Sequence, residues 1–79
     1  MNEKMKREWE NFVHNLKWLR TQHGLSKKEM AKRLNISVWM LNKIERGEQP
    51  PRLTIDIFFA VQDQFGIHPA EQLAHRLGK

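Results

Sequence analysis

Seven Lys and Arg side chains (Lys27, Lys28, Lys32, Arg33, Lys43, Arg46 and Arg52) crowd into residues 26–52, where only Glu29, Glu45 and Glu48 oppose them. That stretch carries +4 of the +5 net charge, while residues 1–25 carry +2 and residues 53–79 carry −1. Basic charge spread over solvated helices is ordinary for a small protein. Concentrated on one motif, it is the electrostatic footprint of a site for a polyanion. Two serines, Ser26 and Ser37, stand within the same stretch at the expected starts of helices. A helix N-terminus offers an anion both free amide N–H groups and the positive end of the helix dipole.

Other chemistry lacks its residues. There is no cysteine, so neither a disulfide framework nor a thiolate metal site is available. His14, His23, His68 and His75 are scattered, and no pair of them stands at the i, i+4 spacing of a helical metal site. The chain holds no Gly-rich phosphate loop, no nucleophile elbow and no convergent pair of carboxylates. No enzymatic activity, cofactor or metal is expected. No apolar run approaches the roughly 20 residues that span a bilayer, and residues 1–8 lack the apolar centre of a secretion signal. The chain is expected to be cytoplasmic.

The elements that position these groups follow from periodicity and caps. Ser26 and Glu29 form a capping box, and Met30, Ala31 and Leu34 follow at helical spacing. Asn35 tolerates the left-handed conformation that a reversal needs. Ser37 caps the next helix, whose Leu41 and Ile44 face inward before Gly47 stops it. Residues 26–46 are thus two short helices joined by a tight turn, a helix-turn-helix. A period of 3.6 then turns Val38, Trp39, Asn42, Lys43 and Arg46 outward.

Upstream, Met5, Trp9, Phe12, Leu16 and Leu19 form an apolar stripe along one long helix, capped by Asn2 and ended by Gly24. Met5 and Trp9 are expected to cover the core rather than to form an interface. Downstream, residues 48–52 with their paired prolines are not helical. Thr54 is expected to cap a helix carrying Ile57, Phe58, Val61 and Phe65 and ending at Gly66. Pro69 opens a last helix with Leu73 and Leu77 four apart on one face. The expectation is an all-α, five-helix bundle forming one domain over residues 1–79, with an N-terminal helix extension at about 2–11.

Gly24-Leu25-Ser26, Ala31, Leu34, Ile36-Ser37, Leu41 and Ile44-Glu45-Arg46-Gly47 together resemble the phage-repressor-like (Xre-type) helix-turn-helix family, over residues 12–77. The resemblance implies a lambda-repressor-like DNA-binding domain and a prokaryotic or phage transcriptional regulator. Helix 37–46 would lie in the major groove of double-stranded DNA. It implies base reading by Val38, Trp39, Asn42 and Lys43, with Lys43 suited to guanine O6 and N7 and Asn42 to adenine or a phosphate. It places Ser26 and Lys27 against a phosphate; Ser37 is a further phosphate candidate, and Lys28, Lys32, Arg46 and Arg52 are weaker ones, with plain solvation as the alternative for each. It also implies a structural ion pair, Arg20 with Glu45, tying the first helix to the reading helix.

Relatives commonly carry Gln, Arg, Ser or Thr where this chain has Val38 and Trp39. Trp39 has three expected fates: contact with a thymine methyl or sugar, contact with a partner protein, or folding back onto Lys43 or a neighbouring helix. The competing function is therefore a protein-interaction module or antitoxin-like partner-binding protein that uses Val38, Trp39 and Met40. A homodimer, formed free or only on DNA, is expected because one reading helix covers few base pairs. Leu73 and Leu77, or the extended first helix, are its candidate surfaces. With no sensor domain expected after the motif, control would come from a partner or from abundance.

Overall fold

The computed structural model describes residues 2–78, which form five helices and no strand: α1 Glu3–Gln22, α2 Lys27–Leu34, α3 Val38–Glu45, α4 Asp56–Phe65 and α5 Pro69–Ala74. The all-α architecture and the helix-turn-helix read from the sequence are both present. No helix among the described residues is long and apolar enough to cross a membrane.

Each of the first three helices begins on a side-chain cap. Asn2 Oδ1 accepts the Met5 amide at 2.8 Å, and Ser37 Oγ accepts the Met40 amide at 3.0 Å. At α2 the Glu29 amide donates to Ser26 Oγ at 3.1 Å, while the Ser26 amide donates to Glu29 Oε1 at 2.9 Å. Each such cap contributes about 1 kcal/mol to its helix. Between α2 and α3 Asn35 adopts φ 58°, ψ 41°, and the Ile36 amide reaches back to the Ala31 carbonyl at 3.0 Å. The reversal is thereby closed without glycine.

One apolar cluster joins the elements. Phe12, Leu16 and Leu19 of α1 meet Met30, Ala31 and Leu34 of α2, Leu41 and Ile44 of α3, and Ile57 and Val61 of α4. Trp9 covers its edge: the indole donates to the Gly47 carbonyl at 3.0 Å and the ring lies 5.6 Å from Phe12. Met5, by contrast, is 52% exposed, so the expectation that it covers the core is corrected.

Two further expectations need correction. Thr54 does not cap α4. The helix begins at Asp56 behind Ile55, with no side-chain cap. Its entry is a tight turn in which the Ile57 and Phe58 amides donate to the Thr54 and Ile55 carbonyls. The Thr54 hydroxyl therefore sits one position too early. Leu73 and Leu77 also fail to share a helical face. His75 turns extended at φ −135°, ψ 158°, so α5 stops at Ala74 and Leu77 leaves the helix. Both leucines are half-buried against the core, which removes them as an exposed dimer surface.

The segment after α5 runs back along α1. Buried Asn15 donates from Nδ2 to the Gln72 and His75 carbonyls at 2.8 and 2.6 Å, and its Oδ1 accepts the Leu77 amide at 2.7 Å. One turn earlier Asn11 holds the Leu73 carbonyl at 2.8 Å and the Arg76 guanidinium at 3.2 Å. Gly78, at φ +78°, packs against the Trp18 indole, where a Cβ would collide with the ring. Asn15→Ala is expected to cost about 1–3 kcal/mol, since it leaves three backbone groups unpaired at once. Hydrogen exchange at the Leu77 amide should rise more than at core amides. Unchanged protection there would refute this role of Asn15 in holding residues 72–77 on α1.

Candidate nucleic-acid interface

The outer face of α3 is set by the burial of its inner one. Leu41, Ile44 and Glu45 face the core, which leaves Val38 40% and Trp39 56% exposed. Lys43 Nζ stands 5.0 Å from the Trp39 ring centroid, a cation–π contact. Of the fates expected for Trp39, this is the contact with Lys43, and most of the Trp39 surface still faces solvent. Met40 is half-buried against the core, so the apolar part of this face is Val38 and Trp39 alone.

Asn42 departs from the expected placement. It is half-buried, and its Oδ1 is fully buried without a hydrogen-bond partner. One residue beyond Leu41 is a rotation of about 100°, which puts Asn42 at the margin of the buried face rather than opposite it. Pairing with adenine needs the amide oxygen and nitrogen side by side, and in this arrangement only the nitrogen is on offer.

Glu48 was not among the residues singled out by sequence, yet it organises the face. Gly47, at φ +84°, turns the chain so that the Glu48 amide donates to the Lys43 carbonyl at 3.0 Å. The carboxylate then accepts Lys43 Nζ at 3.1 Å and Arg46 Nε at 3.0 Å. These two hydrogen bonds, Lys43 first, hold its carboxyl below the usual carboxylate range. The signal available in sequence was an acid five and two residues after two cations. That spacing means nothing until the turn at Gly47 closes.

The α2 N-terminus lies on the other side of the turn. The capping box satisfies the Glu29 amide and leaves the Lys27 and Lys28 amides unpaired inside the helix. The backbone hydrogen bond to Ser26, first, and that to its hydroxyl keep the Glu29 carboxyl below its ordinary range. The Glu29 carboxylate therefore persists to a lower pH than an ordinary one. Lys27, Lys28, Lys32, Arg46 and Arg52 are all exposed.

Behind the face, Arg20 of α1 donates from Nε and from its terminal nitrogen to the two carboxylate oxygens of Glu45, at 2.7 and 3.1 Å. A second terminal nitrogen holds the Leu25 carbonyl at 3.2 Å. One guanidinium thus ties α1, the start of the motif and the end of α3 together. Among the described residues no three His, Asp or Glu side chains converge on a metal position.

Two capped helices at a tight turn, the second turning Val38, Trp39 and Lys43 outward, define a helix-turn-helix protein. The family model described as helix-turn-helix matches residues 16–72, well over half of the chain, and the protein belongs to this phage-repressor-like (Xre-type) family of DNA-binding regulators. No curated protein and no solved structure matches it.

Proposed function

We propose that the protein binds double-stranded DNA sequence-specifically as a transcriptional regulator, inserting α3 into the major groove as part of a homodimer. The observation that carries this reading is the exposed face of α3, on which Lys43 is held over Trp39. Lys43 serves guanine; Val38 and Trp39 read thymine methyls or pack on sugars. The free amides of Lys27 and Lys28, the Lys27 side chain and the hydroxyls of Ser26 and Ser37 take phosphates, with Lys28, Lys32, Arg46 and Arg52 adding charge.

The decisive experiment is selection from random duplex DNA at near-physiological salt, with wild type and Trp39→Ala. A two-fold motif is expected from the wild type, with half-sites about 34 Å apart and one position relaxed in the variant. The exposure of Val38 and Trp39 supports a second reading, partner-protein binding through that patch. Salt separates the two. DNA affinity falls with a log–log slope of about −0.9 per neutralised phosphate, whereas an apolar contact at Trp39 responds little. No enriched motif together with a flat salt response would overturn the DNA reading.

A further inference from the structure

The turn that ends α3 is held from two sides. Within the turn, the Gly47 amide donates to the Ile44 carbonyl at 2.8 Å and the Glu48 amide to the Lys43 carbonyl at 3.0 Å, a Schellman closure. From outside, the Trp9 indole of α1 donates to the Gly47 carbonyl at 3.0 Å. That carbonyl and the Glu48 amide belong to one peptide unit, and a peptide unit is planar. Helix α3 therefore grips one edge of the plane and α1 the opposite edge. Among the described residues this is the one hydrogen bond between α1 and residues 47–49. A groove of ≈ 450 Å³, lined by Lys6, Trp9, Glu10, Val13, Gly47 and Gln49, lies beside it, so close packing does not stand in for the bond.

We infer that Trp9 is a positioning residue for the reading face and a determinant of its specificity. This role rests on the proposed DNA function and names a residue that tunes the same site. Fixing the Gly47–Glu48 plane fixes the Cα of Glu48, from which the carboxylate reaches Lys43 Nζ at 3.1 Å and Arg46 Nε at 3.0 Å. The Glu48 side chain is about half exposed, so burial does not confine it and its backbone decides where it points. Lys43 is then held between that carboxylate and the Trp39 ring. Trp9 acts on the two cations only through the shared plane. It lies outside residues 16–72, which the family model matches, so this hold comes with the N-terminal extension of α1 rather than with the matched motif.

Trp9→Phe tests the role, because Phe keeps an aromatic ring beside Phe12 and removes the N–H donor. Circular dichroism should show unchanged helix content. Hydrogen exchange at the Glu48 amide should rise several-fold, and the Glu48 carboxyl, followed by carbon NMR, should titrate closer to an ordinary carboxylate. On duplex DNA, the ratio of affinities for the selected and random sequences should fall several-fold, the share of one hydrogen bond. The log–log salt slope should stay unchanged, because no phosphate contact is added or removed. In a Glu48→Gln background the same substitution should leave the ratio where it stands, since the two residues act in series.

Equal losses on both duplexes, with Glu48 titrating as in wild type, would reduce Trp9 to core cover and overturn the inference. A shifted Glu48 with an unchanged ratio overturns the specificity role. Should wild type select no motif, the DNA reading fails by itself, while amide exchange and the Glu48 titration still judge the hold on the turn.

Discussion

Arg20→Ala is expected to lower stability by about 3–5 kcal/mol, the cost of stranding a buried charge. The Glu45 side chain is only 4% exposed, and without Arg20 neither carboxylate oxygen keeps its partner. The loss has three parts: the bidentate pair at 2.7 and 3.1 Å, the desolvation of a lone carboxylate, and the bond to the Leu25 carbonyl. Against a typical domain stability of about 5–10 kcal/mol this is a large fraction. For a chain of this length it lowers Tm by at least about 12 °C.

The reciprocal change separates desolvation from simple loss of a contact. Glu45→Ala leaves an arginine that is 18% exposed and still bonded to the Leu25 carbonyl, so it should cost clearly less than Arg20→Ala. Equal costs would mean that burial of the carboxylate is not what makes the pair matter. Thermal melts of the two variants decide this. DNA affinity should fall only through the unfolded fraction, because neither group reaches the outer face of α3. A stable Arg20→Ala that had lost DNA binding would contradict the assignment.

Local rules made most of this fold legible. Ser26, Glu29, Asn35, Ser37 and Gly47 act within a few residues of themselves, so their types disclose the two motif helices and the turn directly. The apolar stripes of α1 and α4 are legible for the same reason. What escaped depends on long-range return of the chain. Asn11 and Asn15 look like polar interruptions in α1 until residues 72–77 fold back onto them. Periodicity alone continued α5 to Leu77, whereas those asparagines capture the backbone and pull it out of the helix. At the site, outward residues were readable from the period, but the burial of Asn42 Oδ1 was not. The pairing of Arg20 with Glu45 came from family resemblance, because 25 residues of chain separate them.

Glu48→Gln is expected to raise affinity for duplex DNA about tenfold at low salt and to steepen the log–log salt slope by about 0.9, the share of one further phosphate. In the wild type one carboxylate accepts both Lys43 and Arg46. A phosphate approaching α3 must displace that carboxylate or share the cations with it. Gln keeps the shape and one acceptor oxygen but removes the charge, so both cations become free to meet phosphate.

The gain should be indiscriminate. Glu48 and Trp39 together fix Lys43 Nζ, and a lysine freed from the carboxylate samples more positions along the groove. Affinity for random duplex should therefore rise more than affinity for the selected motif, shrinking the specificity ratio. The pH dependence follows from the direction of the Glu48 shift. Its carboxyl is held below the usual carboxylate range by Lys43 and Arg46, so the clamp is complete at neutral pH. It is lost only as pH falls through that lowered value. Wild type and variant should differ at neutral pH and converge in acid, as far as the fold survives. Fluorescence anisotropy over a salt series, with specific and random duplexes, measures slope and ratio together. An unchanged slope with an unchanged ratio would show that the carboxylate does not compete with DNA, and that Lys43 and Arg46 meet phosphate without leaving Glu48.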